Sequence, residues 1–67
     1  MEVGKIKKLM KDRGFGFILS PDGKEVFFHR SECQGLEFMT LEQGELVSYE
    51  LDMVPKGPRA RKVSRRA

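Results

Sequence analysis

The run Arg13-Gly14-Phe15-Gly16-Phe17-Ile18-Leu19 constrains the fold more than any other part of the chain. Side chains alternate between faces along a strand, so Phe15 and Phe17 share one face while Gly14, Gly16 and Ile18 take the other. Glycine offers nothing to pack, so a strand alternating Gly with Phe gives up local stability to let something lie close to its backbone. A flat ligand suits that description. Val26-Phe27-Phe28-His29 supplies a second strand, with Phe27 and His29 on one face and Val26 and Phe28 on the other. Between the two stands Ser20-Pro21-Asp22-Gly23, a turn-setting proline followed by an Asp-Gly pair that tolerates positive φ. An antiparallel hairpin is predicted. It gathers Phe15, Phe17, Phe27 and His29 into one patch flanked by Arg13 and Arg30, on which flat rings such as nucleobases can stack.

A chain of 67 residues supports one domain, spanning 1–67, with one small core and no large catalytic cleft. Its 39% hydrophobic and 34% charged residues suit a soluble module, and no apolar run approaches the ~20 residues of a membrane helix. Met1-Glu2-Val3-Gly4-Lys5 lacks the continuous apolar segment of a secretion signal, so the expected location is the cytoplasm. Cys33 is the lone cysteine; with no partner for a disulfide and no zinc spacing around it, it reads as a small core residue. A single histidine, no nucleophile beside a base, no metal cluster and no phosphate loop argue against an enzyme and against any cofactor.

The net charge of +3 is unevenly spread. Lys5, Lys7, Lys8, Lys11 and Arg13 crowd the start, and Lys56, Arg59, Arg61, Lys62, Arg65 and Arg66 crowd the end, while acids dominate from Asp22 to Asp52. If folding brings the basic ends beside the aromatic patch, the product is a cationic rim around flat rings, the footprint of a nucleic-acid binder. The same patch also fits a protein-interaction module whose basic ends steer its partner. Salt-sensitive binding of single strands separates the two readings.

The remaining elements follow from local pattern. A first strand over about Val3 to Met10 puts Ile6 and Leu9 on opposite faces unless a bulge intervenes. After the hairpin, Ser31 is placed to cap a short helical turn ending at Cys33. Residues 34–44 read as a long loop in which Phe38, by spacing, packs over the core or swings across the platform, the first being favoured. A fourth strand over about Glu45 to Asp52 points Val47, Tyr49 and Leu51 inward. Pro55-Lys56-Gly57-Pro58 makes a turn, and a last strand over about Arg59 to Ser64 carries Ala60 and Val63 toward the core with irregular spacing. Five short strands and little helix predict an all-β, five-stranded antiparallel barrel of the OB-fold type, which leaves no exposed sheet edge.

Arg13-Gly14-Phe15-Gly16-Phe17-Ile18 followed by Val26-Phe27-Phe28-His29 resembles the paired ribonucleoprotein motifs of the cold-shock domain family, and the resemblance extends through Gly4-Lys5-Ile6-Lys7, Gly35, Phe38, Thr40-Leu41, Gly44, Val47 and Lys56-Gly57-Pro58. An RNA-recognition motif also has a Gly-Phe-Gly-Phe-like strand, but the short turn between the strands here leaves no room for its helices. The resemblance implies a five-stranded OB-type barrel that binds single-stranded RNA or DNA, with a modest preference for pyrimidines; a monomer is expected. It implies binding positions at Lys7, Phe15, Phe17, Phe27, His29 and Phe38, so that for Phe38 it opposes the reading from spacing. Arg13 stands at a usual lysine, and Lys56 and Arg59 extend the basic rim. The chain also departs from the family. Lys7-Lys8-Leu9-Met10 stands where Lys-Trp-Phe-Asn is usual, so Lys8 replaces a stacking tryptophan. Arg30 follows the motif histidine in place of an aromatic, and its planar guanidinium can stack and also pair with phosphate. Phe28 stands at an inward valine position while Leu9 replaces a bulkier phenylalanine, a pair of changes expected to compensate in volume.

Overall fold

The computed structural model describes residues 1–33 and 38–66. Five strands, β1 (Glu2–Met10), β2 (Phe15–Leu19), β3 (Glu25–His29), β4 (Leu46–Val54) and β5 (Gly57–Arg65), close into a barrel in the order β1-β2-β3-β5-β4. Two short 3-10 turns, Arg30–Glu32 and Phe38–Thr40, belong to the connection between β3 and β4. The expected loop over 34–44 therefore contains a helical turn at its centre, and its residues 34–37, Gly35 among them, lie outside the described part.

One pairing departs from the antiparallel expectation, because β3 and β5 run parallel with Phe27 opposite Arg59. Parity requires it. An odd number of strands arranged in a closed ring cannot alternate in direction all the way round, so one neighbouring pair must run the same way. Here the ring closes where the β4–β5 hairpin meets β3.

Two bulges repair the imperfect sequence patterns. In β1 the register slips between Ile6, opposite Ile18, and Lys8, opposite Phe17, so Lys7 is the extra residue. Ile6 is buried and Leu9 packs against the same core, as the sequence required of a bulge. In β5 the register slips opposite Tyr49, and Lys62 there takes a φ of 53°. That extra residue lets Ala60 and Val63, three apart, both point inward with no exposed surface.

The core comprises Ile6, Ile18, Val26, Phe28, Phe38, Leu41, Val47, Tyr49, Ala60 and Val63. Leu51, expected to join Val47 and Tyr49, is 49% exposed. It faces the same side as they do, but β1 reaches β4 only as far as the Glu2–Tyr49 pair, so no strand covers Leu51. Cys33 is half-buried against the core, bridged to Val63. Burial, and then the charge of Glu32, push its thiol up to about 11. Its helical turn is capped by His29 and not by Ser31: the His29 Nδ1 accepts from the Ser31 amide at 3.1 Å.

Candidate nucleic-acid interface

The outer face of β1, β2 and β3 carries the aromatic patch in rows fixed by strand register. Met10, Phe15 and His29 align in one row, and Lys8, Phe17 and Phe27 in the next. The second row continues onto β5 through the Phe27–Arg59 pair. Phe15 lies 6.0 Å from Phe17 and 5.6 Å from Phe27, and Phe17 lies 6.0 Å from Phe27, centroid to centroid. All three rings are half-buried, Phe17 meeting the other two edge to face and Phe15 tilted 35° against Phe27, while leaving surface to solvent. A nearly continuous aromatic surface spans two strands.

Gly16 serves this surface from beneath. A Cβ there would stand 2.6 Å from the Lys8 carbonyl oxygen and 2.9 Å from the Phe28 ring. The close approach read from the Gly-Phe alternation is thus real, but what approaches is β1 and the core ring of Phe28 rather than a ligand. Phe28 has no exposed surface, so it fills the space directly under the platform. Gly14, at a φ of 80°, ends the turn after β1, and a side chain there would come within 3.0 Å of the Arg30 stem. The Arg30 amide donates to the Gly14 carbonyl at 2.8 Å, which fixes Arg30 beside the first row.

The cations divide into free and engaged groups. Among the described residues Lys8, Arg13, Arg30 and Lys56 make no ion pair, and all four are exposed. Lys7 is paired with Glu25, and Arg59 with Asp52 at 3.3 Å. The Arg59 Nε is buried without a hydrogen-bond partner, beside Phe27. Accepting at Nδ1 places the proton of a neutral His29 ring on Nε2, as a donor on an exposed side chain.

Phe38, which spacing places over the core and the resemblance places among the binding positions, is 7% exposed and packs edge to face on Phe28 at 5.9 Å. The sequence also gave no view of a groove of about 500 Å3 beside Phe27, lined by Val54, Lys56, Gly57, Pro58 and Arg59. It extends the platform toward the β4–β5 turn and brings Lys56 and Arg59 to its edge. The Pro55-Lys56-Gly57-Pro58 turn was its only signal, since the parallel β3–β5 contact that sets it against Phe27 is not local.

The whole described barrel matches the model of the 'Cold-shock' DNA-binding domain, over residues 2–66. This chain belongs to the cold-shock domain family. Cold shock-like protein CspD of Bacillus cereus is 43% identical over 65 residues, covering 97% of this chain and 98% of that protein. Cold shock protein CspB of Bacillus caldolyticus is 41% identical over 63 residues, covering 94% and 96%. A probable cold shock protein A of Mycobacterium tuberculosis is 44% identical over 61 residues, covering 90% and 91%. The solved structure titled drosophila Unr CSD456 superposes with a TM-score of 0.77 at 22% identity, covering 98% of this chain. The cold-shock domain described here spans about a quarter, 26%, of that longer chain.

Proposed function

We propose that residues 1–67 act as one cold-shock domain that binds single-stranded RNA or DNA by stacking bases on Phe15, Phe17 and Phe27. His29 and Arg30 add to the stacking surface, and Lys8, Arg13 and Lys56 receive phosphates. The observation that carries this reading is the cluster of three outward rings in mutual contact, bordered by unpaired cations, on a barrel whose core is already filled from the other face. Exposed rings cost stability when wet, and a stacked base covers them. Each contributes about 1–3 kcal/mol by alanine substitution, so a few platforms reach submicromolar affinity after association costs.

Because the rings accept single strands and not stacked duplex, binding pulls a nucleic-acid hairpin toward its open form by mass action, without an energy source. The domain therefore acts as an RNA chaperone or a regulator of transcription or translation, not as an enzyme. It works as a monomer in the cytoplasm, with a modest preference for pyrimidines. Lys8, Arg13, Arg30 and Lys56 at the platform rim, if each meets one phosphate, give a slope of log affinity on log salt of about −2.8, and three to five contacts give roughly −2 to −3.5.

Titrating a dye-labelled heptathymidylate at two salt concentrations tests the proposal. Submicromolar binding at low salt with a slope in that range, competed by unlabelled single strands and not by duplex, supports it. Salt-insensitive or absent binding overturns it in favour of a protein-interaction module.

A further inference from the structure

The inward face of β4 outruns the core that it covers. Tyr49, Leu51 and Met53 follow one another at strand spacing, yet they are 1%, 49% and 68% exposed. The cause is register: β1 begins opposite Tyr49, so beyond it only β5 accompanies β4, pairing Leu51 with Ala60 and Met53 with Pro58. Between this overhang and the β2–β3 hairpin lies a groove of about 610 Å3 whose apolar walls include Val26, Tyr49, Leu51, Met53 and Pro58. That volume falls within the roughly 300–1,000 Å3 of ordinary ligand sites.

The rim carries the charge opposite to that of the aromatic platform. Glu2, Asp22 and Glu25 border the groove with Lys24; Glu25 is engaged by Lys7, which leaves Glu2 and Asp22 as the rim carboxylates with no ion pair among the described residues, in a chain whose net charge is +3. A hydrogen bond from Ser20 lowers the Asp22 carboxyl below its usual range, so it is ionised at neutral pH. Burial, followed by the charges of Glu2 and Asp22, pushes the Tyr49 phenol up, so the field of both carboxylates reaches the groove wall. Phosphates are repelled from such a rim, and a cationic group on an apolar body is drawn to it.

We propose that the groove beneath the β4–β5 hairpin docks a peptide segment of a partner protein in which an apolar residue is flanked by cationic ones. The apolar side chain lies on Leu51 and Met53, and the flanking cations meet Glu2 and Asp22. The site is separate from the platform and does not depend on what the platform binds.

The test is a titration of the intact chain with acetyl-Arg-Leu-Arg-Leu-Arg-amide, following the methyl signals of Leu51 and Met53 by NMR. The acidic counterpart acetyl-Glu-Leu-Glu-Leu-Glu-amide is the control. Saturable movement of both methyls with the basic peptide alone is expected. Combining Glu2→Gln with Asp22→Asn, both at exposed positions, should weaken it about fivefold, the size expected of two exposed charge pairs. Leu51→Ser should abolish it, with the rest of the spectrum unchanged. The proposal is overturned if the acidic peptide acts equally, if only the Phe17 and Phe27 signals move, or if the groove methyls shift with protein concentration alone, which would make the face a self-association surface.

Discussion

Phe27 and Phe28 are adjacent on β3 and face opposite ways, so truncating each to alanine separates binding from stability. Phe28 has no exposed surface, contacts Phe38 at 5.9 Å and lies under Gly16. Its loss removes a whole core ring, at a cost of about 3–5 kcal/mol. A domain of this length holds only about 3–10 kcal/mol in total, so Phe28→Ala should be largely unfolded near body temperature. Phe27 is half-buried and leans on Phe15 at 5.6 Å and Phe17 at 6.0 Å. Two such ring contacts, at about 0.5–1.5 kcal/mol each, set a loss of about 1–3 kcal/mol, or roughly 4–24 °C in Tm. That exceeds the cost of an isolated surface ring, because the platform supports itself. Binding should respond in the other order: Phe27→Ala removes a stacking surface and raises Kd about fivefold to 150-fold. Urea titration followed by circular dichroism gives the stability, and anisotropy of a labelled oligothymidylate at 10 °C gives the affinity. If Phe27→Ala lost as much stability as Phe28→Ala while its Kd moved less than about twofold, the assignment of faces would be refuted.

Gly16→Ala should destabilise the barrel by more than about 1 kcal/mol in urea unfolding, because its methyl would meet the Lys8 carbonyl oxygen at 2.6 Å and backbone gives way poorly. Lys8→Trp should restore a platform beside Phe17, tightening oligothymidylate binding about fivefold or more and flattening the salt slope by about 0.7; a steeper slope would contradict this. Phe28→Val should lower the melting temperature, because no neighbour is placed to refill the ring volume beneath Gly16; a rise would show that Phe28 and Leu9 do not compensate. The Cys33 thiol is raised from 9.0 to about 11, so in the unfolded chain it loses its proton first. Stability from this group is fully present below pH 9 and declines as pH rises from 9 to 11, which urea midpoints at pH 8 and 10 will show as a fall.

The platform is legible in the sequence because it rests on local rules. Two strands joined by Ser20-Pro21-Asp22-Gly23 need only alternation and turn chemistry to bring Phe15 opposite His29 and Phe17 opposite Phe27, and the observed register does so. The β1 bulge is equally readable, since Ile6 and Leu9 cannot both point inward without it. What escapes is whatever depends on closure. The parallel β3–β5 contact follows from ring parity, the exposure of Leu51 from where β1 happens to begin, and the pairing of Lys7 with Glu25 from a bulge that redirects one side chain. The burial of Phe38 against the Phe28 ring likewise joins residues distant in sequence, so spacing alone left it between core and platform.

The central claim is that Phe15, Phe17 and Phe27 meet the bases of a single strand directly. NMR spectra of the ring protons with and without heptathymidylate test it most directly. Upfield movement of these three rings, with Phe28 and Phe38 nearly unmoved, is the predicted result. Binding that leaves the three rings unshifted while perturbing the core pair would contradict the account.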